Sequence, residues 1–285
     1  MSPVPRLFDS ALQRQRLARA RQLGPETFLI DRAAEDLSER LEAVQRTFAT
    51  CLDFGTPGHE AVAVLRARNA AARIRHVSAV EADLEAPALA GEAYDLIVSL
   101  LALHHVNDLP GVLAQLRQAL VPDGLLLAAV PGGDTLIELR TAFMAAEEEL
   151  MGGAAPRISP FADVRSLGQL LQRAGLALPV ADGERVIVRY ADPVGLLRDL
   201  RHMGATNVLV ERARRPLRRA VLFRAMQIYR ERFSDPDGRV RATFEFVWLT
   251  GWAPHESQQK PLRPGSAKMK LADALKALTP ETGHE

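Results

Sequence analysis

The sequence predicts an open α/β fold with a parallel sheet. Short apolar runs alternate with helix-prone stretches between residues 49 and 130, as strands joined by crossover helices do. The first apolar run ends in an acid and a glycine, the strand-to-helix turn beside which such sheets bind ligands. After Gly133 the alternation gives way to long helical stretches and runs of period two, which predicts a helical and antiparallel C-terminal cap.

Each element is read from its pattern. Residues 1–48 read as helical, with Leu37, Leu41, Val44 and Phe48 on one apolar face. ATCLDFG (49–55) reads as a buried strand entering a turn, and 59–72 as an alanine-rich helix. IRHVSAV (74–80) is a strand, EADLEAP (81–87) a turn and YDLIVSLL (94–101) a strand. A helix over 111–120 comes next, and PDG turns the chain into LLLAAV (125–130). Beyond PGG the pattern gives a helix over 134–150 with Asp134 placed to cap it. A helix over 163–174 is closed by Gly175. ERVIVRY (184–190) is a strand, 193–203 and 217–232 are helices, and TFEFVWLTGW (243–252) alternates as a strand. The expected organisation is N-terminal helices (1–48), an α/β core (49–180), a cap integrated with it (181–253) and an extended tail (254–285).

Composition narrows the function. Of 285 residues 47% are hydrophobic and 25% charged, enough to bury a sizeable core. A net charge of +1 argues against a whole-chain nucleic-acid binder. The lone cysteine, Cys51, allows no intrachain disulfide and no cysteine zinc cluster, and reads as a small core residue. No apolar stretch is long enough to span a membrane, and the N-terminus has no secretory pattern. These features set the expectation of a cytoplasmic protein, with peripheral membrane association left open.

Four groups of residues carry candidate chemistry. DFGTPGH (53–59) is a glycine turn at a strand end, with Asp53, Gly55 and Gly58 as candidate ligand-loop residues; a plain turn is the competing reading. Asp83, after the second strand, either accepts from an adenine amino group or is a solvated loop carboxylate, whereas Asp95 opens a strand and reads as structural. His104 and His105 come after a strand end, as candidate bases or as packing groups; they lack metal-site spacing. Asn107 and Asp108 either orient that loop or cap the next helix. Segment 198–219 holds seven arginines against two acids. It reads either as a solvated face or as a surface for an acidic partner, and lacks the interleaved aromatics of a single-strand binder.

In order and wording, LDFG (52–55), ADLEAP (82–87), YDLIVSLLALHHV (94–106) and LVPDGLLLAAVPG (120–132) resemble class I methyltransferases, over roughly residues 50–180. HHVNDLPG (104–111), GGDTLIELR (132–140), GGAAPRISPFADVRSLGQLLQRAG (152–175), MGATN (203–207) and TGWAPHESQQKP (250–261) are similar to the mitochondrial complex I assembly factor 5 family and its bacterial relatives. The biotin-pathway malonyl-carrier-protein methyltransferases are more distantly similar. The resemblance implies a Rossmann-like class I methyltransferase fold and S-adenosylmethionine as cofactor, held by Asp53, Gly55, Gly58 and Asp83. It implies His104 and His105 at the site mouth, and a role in complex I assembly through modification of an arginine on a subunit. The alternatives it leaves are a conventional methyltransferase acting on a small molecule or carrier protein, and a non-catalytic scaffold.

The chain departs from that pattern twice. Pro57 and His59 stand where the superfamily's loop has its second and third glycines, removing a backbone donor and filling space. Only 30 residues separate Asp53 from Asp83, which predicts a shortened sheet. If ADLEAP comes after the family's third strand, the second strand and its ribose-binding acid are the missing part, with Glu81 the nearest substitute.

Overall fold

The computed structural model describes residues 6–89 and 91–259, in two units divided after Pro254. Unit one is a six-stranded sheet of order β2-β1-β3-β4-β6-β5. Strands β1 (Thr50–Gly55), β2 (Arg73–Ser78), β3 (Tyr94–Leu100) and β4 (Leu120–Pro131) run parallel. β6 (Val240–Trp252) is antiparallel to β4, and β5 (Ala177–Tyr190) is antiparallel to β6. Helices are α1 (Ser10–Leu23), α2 (Phe28–Glu42), α3 (Glu60–Arg68), α4 (Leu109–Ala119), α5 (Ile137–Met151), α6 (Val164–Arg173), α7 (Pro193–His202) and α8 (Arg219–Phe233).

Period-two alternation sorts the sheet's side chains onto two faces. Leu96, Val98, Leu125, Leu127 and Ala129 pack with α2, α5 and α8, whereas Ile97, Leu126, Ala128 and Val130 pack with α4 and α6. Three layers result, and the strand order reverses between β1 and β3. Open sheets bind ligands in the crevice beyond the carboxyl ends of the strands at such a reversal.

Several expectations are corrected in detail. The second N-terminal helix ends at Glu42, so Val44 and Phe48 lie on the approach to β1; Phe48 is buried there rather than on a helical face. Asp134 caps no helix: α5 starts at Ile137 after Leu136 in the left-handed region, and Asp134 pairs with Arg185. β5 starts at Ala177, ahead of the apolar alternation that marks 184–190, because β6 offers a continuous edge for it.

The sheet is shortened as expected. β2 lies in register against β1, pairing Asp53 with His76 and Gly55 with Ser78. A strand therefore stands beside β1, and the sheet stops at β2's outer edge. Ser78, not an acid, ends this strand; Glu81 sits beyond it in an exposed ion pair with Arg21.

In unit two only residues 255–259 are described, a turn in which His255 Nδ1 lies 2.7 Å from Ser257 Oγ. The expected extended tail otherwise lies outside the described residues.

Candidate functional site: a self-filled crevice

The site grows from the end of β1. Asp53 is fully buried, and its carboxylate turns inward. It accepts from Thr56 Oγ1 at 2.5 Å and meets His76 Nδ1 at 2.7 Å. Thr56 Oγ1 in turn accepts from Leu100 N on β3. The His59 ring lies 4.7 Å from that of His76. Burial raises the Asp53 carboxyl above its usual range, and the adjacent carboxylate raises His76. The candidate loop acid is thus a bracket between β1, its turn and β2, with no oxygen turned toward the crevice.

The glycines serve packing in the same way. Gly55 has φ +89°, a conformation that favours glycine. A Cβ there would lie 2.7 Å from Ala102 Cβ and 2.9 Å from Leu84 Cδ1. The close approach that glycine permits is therefore to the chain's own side chains. At Gly58 the neighbouring space holds the Glu60 carboxylate, whose Oε2 would lie 2.4 Å from an added Cβ. Pro57 supplies no backbone N–H to this turn.

His104 and His105 form a short 3-10 turn after β3, at the mouth of the crevice. Their rings lie 4.0 Å apart, with His104 near Phe161 and His105 edge-on to Phe8. His105 Nε2 is 3.4 Å from Ser159 Oγ. His104 Nδ1 is enclosed with no hydrogen-bond partner among the described residues. Burial lowers His104 well below its ordinary value and His105 to about 4. Both are therefore neutral at pH 7, and a base of such low affinity for protons pulls weakly on a substrate. Packing and hydrogen bonding suit His105 better than proton abstraction.

Asp83 is exposed on the loop after β2, where its Oδ1 accepts from Glu85 N at 3.0 Å. It shares a cavity of about 20 Å³ with Ser10, Gln13, Arg14, Glu85 and His105, space for about one water. Asp95 stands at the opposite end of the sheet, accepting from Ala49 N, Thr50 N and Thr50 Oγ1. Those three bonds account for its structural role. Cys51 is buried, and its thiol is pushed up to about 12, which makes it inert at neutral pH.

Asp108 caps α4 through Gly111 N, while Asn107 binds the N-terminal segment: its Oδ1 accepts from both Leu7 N and Phe8 N at 2.8 Å. His76 and Thr56, which hydrogen-bond Asp53, lie outside the expected set and carry no distinguishing signal in the sequence. In the basic segment Arg212 pairs with Asp9 at 3.2 Å, while Arg198, Arg201, Arg214, Arg215, Arg218 and Arg219 are exposed. Among the described residues no group of three or more His, Cys, Asp or Glu side chains is placed to hold a metal ion. None of their helices is long and apolar enough to cross a membrane.

Residues 26–179 match a family model described as a methyltransferase domain. The arginine-hydroxylase NDUFAF5, mitochondrial, of Danio rerio is 35% identical over 95% of this chain and 90% of its own length. That of Homo sapiens is 35% identical over 94% of this chain and 83% of its own. The malonyl-[acyl-carrier protein] O-methyltransferase of Halorhodospira halophila is 34% identical over 72% of this chain and 68% of its own.

Proposed function

Because this chain belongs to the methyltransferase-domain family, and within it to the arginine-hydroxylase NDUFAF5 relatives, we propose that it serves assembly of a bacterial respiratory complex I by modifying an arginine on one of its subunits. The carrying observation is the extent of the match. It covers 94–95% of the chain and so runs beyond residues 26–179 into both ends, whereas the carrier-protein methyltransferase covers 72%. The substrate would be a polypeptide, met in a reducing compartment beside the membrane that holds the complex.

S-adenosylmethionine fits this crevice poorly. Asp53 is committed to His76 and Thr56, and the Glu60 carboxylate fills the space at Gly58. The strand beside β1 ends in serine, not an acid. Hydroxylation of a C–H bond is a two-electron oxidation of the substrate. With dioxygen as oxidant, one oxygen atom enters the C–H bond and the other leaves as water, which takes two electrons and two protons from an outside reductant. These side chains supply neither oxidant nor reductant. What they supply is a place for a peptide. The same self-filled crevice favours a second reading, a non-catalytic assembly protein that keeps the fold for recognition.

Mass spectrometry of complex I subunits separates the two readings. With the gene intact, one arginine should carry one added oxygen atom; without it, that arginine should be unmodified and the assembled complex reduced. Reduced assembly with the same arginine unmodified in both strains would favour the scaffold. Full assembly without the gene would overturn both.

A further inference from the structure

Segment Leu7–Asp9 crosses the crevice mouth as an extended peptide, held at each backbone group. Leu7 N and Phe8 N donate to Asn107 Oδ1 at 2.8 Å, and Asn107 Nδ2 donates back to Phe8 O at 3.3 Å. On the other side Val210 N donates to Leu7 O at 2.9 Å, and Asp9 N donates to Val208 O at 2.8 Å. Phe8 and Leu209 form an antiparallel bridge. Asn107 is itself fixed by Glu85 Oε1, which accepts from its backbone N at 2.7 Å and from its Nδ2 at 2.8 Å.

These contacts read backbone on both edges, as a sheet edge does when it takes up an added strand. Two side-chain positions add selectivity. Phe8 is buried against Val208 and Leu209, with the His105 ring 5.1 Å away. The Asp9 carboxylate meets the Arg212 guanidinium. The helix that continues the segment is anchored further along, by Leu17 against the core and Gly204 and by Arg16 on Thr206, whereas Leu7 at the segment's start is exposed. A two-sided slot beside His105 is thus filled by three residues that precede the anchored part of α1.

We propose that this slot is the docking site for an extended peptide of a protein partner, with a bulky apolar residue followed by a carboxylate, and that residues 7–9 hold its place in the free chain. This rests on the reading of a polypeptide substrate made above. The Asn107 clamp positions the peptide, Phe8's cup takes the apolar residue and Arg212 takes the acid. The partner segment displaces Leu7–Asp9 and lies across the mouth beside His105 and Ser159.

The test uses the full chain and a fluorophore-labelled peptide of its own residues 6–12, read by fluorescence anisotropy. Phe8→Ala empties the cup and should bind the peptide at least about tenfold more tightly than wild type. Adding Asn107→Ala should abolish that gain. Amide exchange at Val208–Val210 should quicken in Phe8→Ala and slow again when peptide is added. The proposal is overturned if Phe8→Ala, folded by near-ultraviolet circular dichroism, binds no better than wild type. It is equally overturned if the double variant binds as tightly as Phe8→Ala. The readout is binding alone, so peptide capture without arginine modification in cells would sink the proposed function and leave the slot standing. Modification that persists undiminished in Asn107→Ala would do the reverse.

Discussion

Asp53→Ala is expected to destabilise the protein by about 3 kcal/mol, the loss expected when a buried hydrogen-bonded carboxyl is removed and its partners are left unsatisfied. Asp53 is fully buried and receives Thr56 and His76 together. Without it, the Thr56 hydroxyl loses its acceptor, and the His76 ring loses the group that favours its protonated form. The midpoint of thermal unfolding should fall by roughly 10 °C for a chain of this size. Asp53→Asn keeps an acceptor for Thr56 and should lose less. Proton NMR titration gives the decisive second readout: the His76 pKa should drop toward its ordinary value in both variants. A carboxylate facing an open ligand site would instead leave stability nearly unchanged and His76 unmoved.

Acid should destabilise the fold through its buried histidines. His105 falls from 6.5 to about 4 on folding, so the folded state binds fewer protons than the unfolded one. Its contribution is complete above pH 6.5 and is lost as pH falls from 6.5 toward 4, by about 3 kcal/mol. His104 shifts in the same direction. His76 has the opposite sign: its raised pKa gives stability that is complete below 6.5 and is lost as pH rises through its folded value. Urea unfolding of wild type and His105→Gln at several pH values isolates the His105 contribution. Wild type should lose about 3 kcal/mol more than the variant between pH 6.5 and 4. Parallel pH dependences would show that His105 titrates freely and is not enclosed as described.

The layered fold is legible in the sequence because its signals are local. The unbroken apolar run through 125–130 marks a strand buried on both faces of the sheet, and Gly175 ends α6 with φ +77°. The candidate site is legible only in outline. His104 and His105 lie at the crevice mouth and Asp83 beside it, since all three come just after strand ends. What those groups do depends on register, which single-strand patterns do not carry. His76 faces Asp53 only because β2 pairs with β1 at that offset. Asn107 lies next to a capping acid, and nothing local announces that its amide binds a segment 99 residues away.

In this chain Asp53, Gly55 and Gly58 sit against the chain's own His76, Leu84, Ala102 and Glu60. Calorimetric titration of the folded full-length protein with S-adenosylmethionine tests most directly the proposal that these contacts exclude the cofactor. No saturable heat is expected up to roughly millimolar ligand, a binding free energy weaker than about 4 kcal/mol. A saturable isotherm in the micromolar range would contradict it and return the glycine turn to cofactor binding.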